Sequence, residues 1–588
     1  MTERTQHDDA APGSPDPKKV HTFDLIDEVP GVSDGATGPA AAAAPEPEPE
    51  ESAPREPGRV ARALAGARAA TGRTARRGAA AVRRRFPATR RGRVLLAGGT
   101  AAVVVLAVAG GALLDAQLRH RDLIAAPGGV RSLAEQPAEQ WSLDLDNPIA
   151  STLVEMPGVL AVVGDGKVRG LDPASGEVRW TADVGEAAQC GPTPILGIGG
   201  PVSAEPADPL VCVTTSDGAE AEQGVTVVAP DGAVTTRDLD PEDTALPGPD
   251  GALVHLDLAG EHEQEPVVVD KVGTPHLPKG FVAPDVTVRV EDAATGTERW
   301  STTLAAGTPD VNYCLTYNQD EDDVVTPLLD VSGSLNANVQ QGILEVEGCG
   351  ISAAFLLDGT RLDDPDDAAD LTDLAAAGQF TALPDGGWVG PDLTGEPAGE
   401  TSLPHQVVHL PDGRTVPLGG QALVPWATDG RDPGLLLARV GVHIEALSTE
   451  EDDSGAVLWT SPPRLRATDL LARVSGTAVV VDERGSVRAV DVGTGAERWT
   501  LDPEVLGFDE GMWDAESTIF GAYTDGDVLL LPVTADPQGG ASGLRLIAID
   551  LGDGSVRWEI EQETPYTQIV SVDGYLAQIT QQGVVGLG

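Results

Sequence analysis

The chain has 588 residues and carries 92 acidic against 39 basic side chains, a net charge of −53. A surface field of that sign argues against nucleic acid as a partner. At 41% apolar and only 4% aromatic residues, the composition allows a large folded region, and four cysteines are too few for a disulfide-built scaffold.

Residues 1–56 are rich in Pro, Ala, Glu and Asp, including PEPEPEES at 45–52. Such a segment cannot bury enough apolar surface to fold alone and reads as a disordered cytoplasmic tail. The composition flips between Arg55 and Arg93, where thirteen arginines stand among Ala and Gly with almost no acids. Residues 57–93 are thus a basic juxtamembrane arm, suited to the anionic inner leaflet or simply to fixing topology.

Val94–Leu114, VLLAGGTAAVVVLAVAGGALL, has no charged side chain. As a helix it reaches about 31 Å, enough to cross a hydrocarbon core of roughly 30 Å. A signal peptide would have a shorter apolar core nearer the start of the chain. Residues 94–114 are therefore expected to form a single transmembrane helix, with the arginines holding the N-terminus in the cytoplasm. Everything beyond a linker at 115–139 is then extracytoplasmic. Residues 1–93 hold 16 Lys and Arg against 13 Asp and Glu, which leaves 23 basic and 79 acidic residues beyond Arg93, a net charge of −56.

One phrase, Asp-x-x-x-Gly-x-x-x-Trp, then recurs four times: Asp172–Gly176–Trp180, Asp292–Gly296–Trp300, Asp491–Gly495–Trp499 and Asp550–Gly554–Trp558. Each copy follows an alternating run (KVRGL, TVRVE, SVRAV, LRLIAI), so each predicts a β-hairpin. The Asp carboxylate can accept backbone amides across the turn, and the Gly tolerates a positive φ. Alternation places the Trp on one strand face and the Arg before it on the other. A ring repeated at the same place in every unit suits packing between neighbouring sheets. Weaker copies fill the gaps: Glu451, Gly455 and Trp459 keep the spacing, while the turns at Gly232, Gly359 and Gly413 lack the Trp. Eight turn glycines predict a seven- or eight-bladed all-β propeller over 140–588.

The pattern A/V-x-D-x-x-T/S-G-x-x-x-W, clearest at 489–499 and 548–558, resembles the repeat of the PQQ-binding-like β-propellers, the quinoprotein alcohol dehydrogenase-like superfamily. The resemblance implies that the Trp residues dock blade to blade. It leaves function open, because that superfamily holds calcium-dependent dehydrogenases, an outer-membrane assembly lipoprotein and sensor domains of actinobacterial kinases. The Ala, Gly, Arg and Asp usage fits a GC-rich genome, in keeping with an actinobacterial-type envelope.

Cys190, Cys212, Cys314 and Cys349 all lie beyond the apolar segment, as expected of an oxidising compartment. Three pairings are open, and the local pairs Cys190–Cys212 and Cys314–Cys349 are favoured because each closes a loop within one or two blades. His405 and His409 in PHQVVH, and His255 near Asp257, Glu261 and His262, have no third partner at a diagnostic metal spacing. The acidic clusters at 318–323 and 363–370 do not match an EF-hand loop. Adjacent cysteines and C-x-x-C-H are both absent from the sequence, as are G-x-S-x-G, P-loop and dinucleotide fingerprints in a fitting context.

These readings favour a non-catalytic, membrane-anchored extracytoplasmic propeller. It would bind or scaffold an envelope protein or a small ligand at the propeller face, with no metal and no cofactor expected. Two alternatives stand beside it. One is a quinoprotein-like dehydrogenase using PQQ and Ca²⁺. The other is a transmembrane sensor whose cytoplasmic docking motif would be VHTFDLIDEVPG at 20–31.

Overall fold

The computed structural model describes residues 117–588 apart from 187, 192–205, 216–222, 241–243, 261–264, 272, 320–324, 363–379, 385, 392–404, 432–433, 464, 508–518, 535–542 and 563–567. The tail, the arm, the apolar segment 94–114 and most of the two acidic clusters lie outside the described residues. Among the described residues no helix is long and apolar enough to cross a membrane.

Nine sheets form the blades of a propeller, antiparallel throughout except that Pro425–Thr428 joins the sheet of Ala467–Val474 by parallel pairing. Blade 1 spans residues 152–183, blade 2 189–239, blade 3 244–304, blade 4 336–356 and blade 5 381–417. Blade 6 spans 421–460, blade 7 467–501 and blade 8 523–562. Blade 9 joins the two ends of the fold. Its strands Ile569–Val572, Tyr575–Ile579 and Gly583–Leu587 pair in sequence, and Glu139–Asp144 adds the outermost strand against Gly583–Leu587.

Nine blades among the described residues correct the expected seven or eight. Seven of the eight turn glycines sit between the third and fourth strands of a blade, and Gly359 follows the third strand of blade 4, where the single bridge from Phe355 to Arg361 stands in for a fourth. In blade 9 that junction is the meeting of the chain ends, where Ala138 and Gly588 exchange two backbone hydrogen bonds of 3.0 and 3.1 Å. A count of turns therefore falls one short.

The ring closes through its core. Valines, leucines and isoleucines alternate along the middle strands, so each sheet presents an apolar face to both neighbours. Nine clusters of buried side chains each bridge one consecutive pair of blades, including blades 8 and 9 and blades 9 and 1. A tenth cluster, containing Cys314, Leu329, Val331 and, from blade 4, Cys349, belongs to a satellite built from two excursions, one within blade 3 and one between blades 3 and 4. The excursions are residues 259–285 and 305–335. Leu315–Gln319, Val325–Leu329 and Glu265–Pro266 form its three-stranded sheet, and Val268–Val269 pairs with Pro275–His276 beside it.

Candidate functional site

The repeat phrase is a docking device, and its parts have distinct duties. In four of its turns the Asp carboxylate accepts from groups inside the turn, for example from the Ala174 and Ser175 amides at 3.0 Å each for Asp172. The Arg that precedes each Trp folds back onto that same Asp, with Arg179 2.5 Å from Asp172, Arg498 2.5 Å from Asp491, Arg557 2.6 Å from Asp550 and Arg299 3.7 Å from Asp292. These contacts hold all four carboxyls below the usual carboxylate range. The Arg hydrogen bond leads at Asp172, Asp491 and Asp550, and the Thr295 hydroxyl leads at Asp292. Three of the arginines also reach the turn between the first two strands of their own blade. Arg179 and Arg299 donate to the carbonyls of Gly158 and Asp250, and Arg498 donates to the Thr477 hydroxyl.

The Trp residues serve the next blade. The ring nitrogens of Trp180, Trp300, Trp459 and Trp499 donate to the carbonyls of Pro230, Leu357, Val492 and Leu551 at 2.7–3.0 Å, each in the following blade's turn. Trp141 of blade 9 does the same to Pro173 at 3.2 Å. Each ring also covers a turn glycine: Trp141 covers Gly176, Trp180 Gly232, Trp300 Gly359, Trp459 Gly495 and Trp499 Gly554. A Cβ at these five glycines would fall 2.3–2.9 Å from a ring atom. The glycines are thus fixed twice, by φ between +68° and +89° and by the ring above them.

The sequence distinguishes two kinds of turn. Where the longer phrase occurs, a β-bulge adjoins the turn, as between Gly170 and Leu171 or Ala489 and Val490, and the Trp stands opposite a Gly, Ala or Val. The Asp-Gly turns at 231–232 and 412–413 pair their strands without a bulge, and no Trp follows. In blade 6 the anchoring position is Ser448, not Glu451, because the turn is longer: Gly455 donates to the Ser448 carbonyl and Ser448 to that of Ala456.

Between blades 2 and 3 the dock is ionic. Thr235 occupies the Trp register of blade 2. Arg237, two residues on and on the same face, covers Gly296 and donates to the Ala293 carbonyl at 3.4 Å. Its guanidinium pairs with the buried Glu291, which also receives Arg289 at 2.5 Å and the buried His255 at 3.1 Å. Burial alone would raise the Glu291 carboxyl, but hydrogen bonds and charge from Arg237 and His255 outweigh it and hold the group low. His255 thereby belongs to a structural cluster. His409 stacks on Trp388 with ring centroids 3.6 Å apart, and burial lowers its pKa. His405 falls just before the strand Gln406–His409.

A partly buried carboxyl lies on the first strand of blade 1. Burial, with a smaller contribution from Asp573, pushes Glu155 up to about 8. The neighbouring Tyr523 is raised by burial and then by Glu155, and its hydroxyl donates to the Ile569 carbonyl at 2.7 Å. Among the described residues no group of three or more His, Cys, Asp or Glu side chains is placed to hold a metal ion.

Both disulfides are local. Cys190 pairs with Cys212 across the first two strands of blade 2. Cys314 of the satellite pairs with Cys349 in the tight connection between Ile343–Gly348 and Ile351–Leu356 of blade 4. The second bond ties the satellite to the ring, assisted by a 2.8 Å hydrogen bond from Gly307 to the Gly350 carbonyl.

That satellite is the candidate interaction surface. Val268, Val269, Val282, Tyr313, Tyr317 and Val325 all lie on it, half of the exposed large apolar side chains among the described residues. Val282 and Tyr317 are 81% and 61% exposed. Five of the other six, Val178, Val234, Val457, Leu458 and Val556, sit on outermost blade strands, where isolated exposure needs no explanation. Tyr317 and Val325 point to the same face of the satellite sheet, because Tyr317 pairs with Pro327 and Gln319 with Val325.

Residues 445–586 match the family model described as outer membrane protein assembly factor BamB. No curated protein matches the sequence. Among solved structures, BamB from Moraxella catarrhalis is 13% identical, with 77% of this chain and 99% of that chain covered and a TM-score of 0.35. A quinohemoprotein alcohol dehydrogenase from Pseudomonas putida HK5 is 12% identical over 77% and 74% of the two chains, at a TM-score of 0.30. Saccharomyces cerevisiae Sqt1 is 9% identical over 77% and 99%, at 0.31. Likenesses at these scores carry no weight for function. Residues 445–586 thus carry a PQQ-like repeat by the family match, and phrases with the same Trp dock recur at Trp180 and Trp300.

Proposed function

We propose that this propeller is a non-catalytic binding or scaffold module of the cell envelope, held at the cytoplasmic membrane by residues 94–114 with the propeller outside. The concentration of exposed apolar side chains on the disulfide-tied satellite carries this reading. Such residues cost solubility unless a partner covers them. The uncharged 21-residue run preceded by thirteen arginines supports the anchor, and two disulfides in the propeller support an oxidising side. The matched family model is described as an outer-membrane assembly factor, which agrees with a docking role.

Photo-crosslinkers placed at Tyr317 and at Leu458, both exposed, test it in the full chain in cells. A discrete adduct from Tyr317 and none from Leu458 is expected; equal labelling at both sites would overturn the assignment. Thermal melting with PQQ plus Ca²⁺, against Ca²⁺ alone, tests the dehydrogenase alternative. A ligand at a hundred times its Kd stabilises by about 2.7 kcal/mol, so a quinone-specific rise of the midpoint would replace the scaffold reading with an enzymatic one.

A further inference from the structure

The ring has eight turns of this kind for nine blade junctions, so the blade that faces blade 9 has to find its dock elsewhere. Trp558 of blade 8 faces blade 9, which has no such turn. Its ring nitrogen donates instead to the carbonyl of Leu133 at 2.8 Å. Leu133 belongs to the stretch that the sequence reads as a linker, and its side chain is buried with Val130 in the cluster between blades 8 and 9.

The stretch is bonded along its length. Thr428 donates to the Pro127 carbonyl at 3.2 Å and Thr524 to that of Gly128 at 2.8 Å. The Ser571 hydroxyl reaches the Gly129 carbonyl at 2.6 Å. Val130 and Arg131 donate to the carbonyls of Thr524 and Gly574 at 2.8 and 3.0 Å. The Asp525 carboxylate accepts from the Leu133 amide at 2.6 Å. Arg131 also donates to the Asp573 carbonyl at 3.1 Å and lies over the Tyr575 ring, 4.3 Å from its centroid. A helix over 117–125 leads directly into the stretch. Leu123 is buried near Gly526, and Ile124 stands 3.0 Å from where a Cβ on Gly574 would lie.

We propose that residues 126–133 are a latch that substitutes for the missing ninth turn and couples the ring to the helix before it. A free linker would absorb displacement of that helix; the latch transmits it to Pro425–Thr428, which pairs with the first strand of blade 7, and to the first strands of blades 8 and 9. Because neither disulfide connects residues before 139 to the propeller, the latch itself is held by non-covalent contacts alone and can be broken by competing ones. This inference does not depend on which partner the satellite meets.

A protease site inserted between Ala134 and Pro137, where the side chains are mostly exposed, tests it. The full chain, tagged at its N-terminus, is cut to completion under native conditions and captured through the tag. The propeller piece is expected to remain with the tagged piece through washing. Arg131→Ala should speed its loss at least tenfold, and Gly574→Val, which places a side chain against Arg131 and Ile124, should release it. Immediate release from the otherwise unmodified chain would overturn the latch, as would retention unaffected by either substitution. Should Gly574→Val fail to fold, Arg131→Ala alone decides.

Discussion

Trp499 and Gly554 make the docking argument quantitative. Trp499 is 8% exposed, and Gly554, with φ +76°, lies beneath it so that a Cβ would come 2.7 Å from the ring. Trp499→Ala removes a large buried side chain and the hydrogen bond to Leu551, at a cost of about 4 kcal/mol. A propeller of roughly 450 residues has an unfolding entropy near 1 kcal/mol/K, so the midpoint should drop by about 4 °C. Gly554→Ala combines an unfavourable φ with overpacking, costing about 2–4 kcal/mol. Part of that second penalty exists only while the indole is present. The double variant should therefore be less destabilised than the sum of the singles by about 1–2 kcal/mol. Equilibrium urea unfolding of the four proteins of the cycle, monitored by circular dichroism, reads the coupling. Strict additivity, within about 0.5 kcal/mol, would refute the claim that the ring rests on the glycine.

Two further predictions concern carboxyls shifted by their surroundings. Glu291→Ala leaves Arg237 and Arg289 facing an uncompensated pocket and should cost about 3 kcal/mol, the lower end for a buried pair because both arginines are partly exposed. Since Glu291 titrates below its ordinary value, its contribution is complete above the unfolded-state pKa and is lost as pH falls through the folded one. Glu291→Gln should accordingly flatten the acid limb of a stability–pH profile measured by urea unfolding. Glu155 works in the opposite direction. Raised to about 8, it lets the folded state keep a proton that the unfolded state releases near pH 4.5, so stability declines from about pH 4.5 to 8. Glu155→Gln should remove that decline and raise the melting midpoint at pH 8.5 while leaving it nearly unchanged at pH 4. A larger gain at pH 4 would contradict the burial of this group.

Much of the ring was legible because its grammar is local. A strand, a turn glycine and a Trp at fixed spacing report a hairpin and its dock without knowledge of anything distant. The disulfides were legible for the same reason, each closing a short loop. Four features were not. Arg179 and its counterparts were visible in every copy, but their pairing with the phrase's own Asp requires the turn geometry. Arg237 was hidden because its partner Glu291 lies in another blade, 54 residues later. The role of Leu133 rests on contacts more than 390 residues away in sequence, and no periodicity encodes them. The satellite escaped because two separate excursions supply one small sheet.

The Trp docks are unevenly distributed around the circle, and that unevenness has a consequence. Blades 6 to 9 and blade 1 each carry one, whereas among blades 2 to 5 only blade 3 does. The second arc holds all four cysteines, the ionic junction and the satellite, while the family match covers only part of the first. There the Arg237–Glu291 junction stands in for one indole dock, while the disulfides tie strands within blade 2 and the satellite to blade 4. The regular arc thus acts as a clasp, and the irregular arc is where new surface can be admitted without opening the circle.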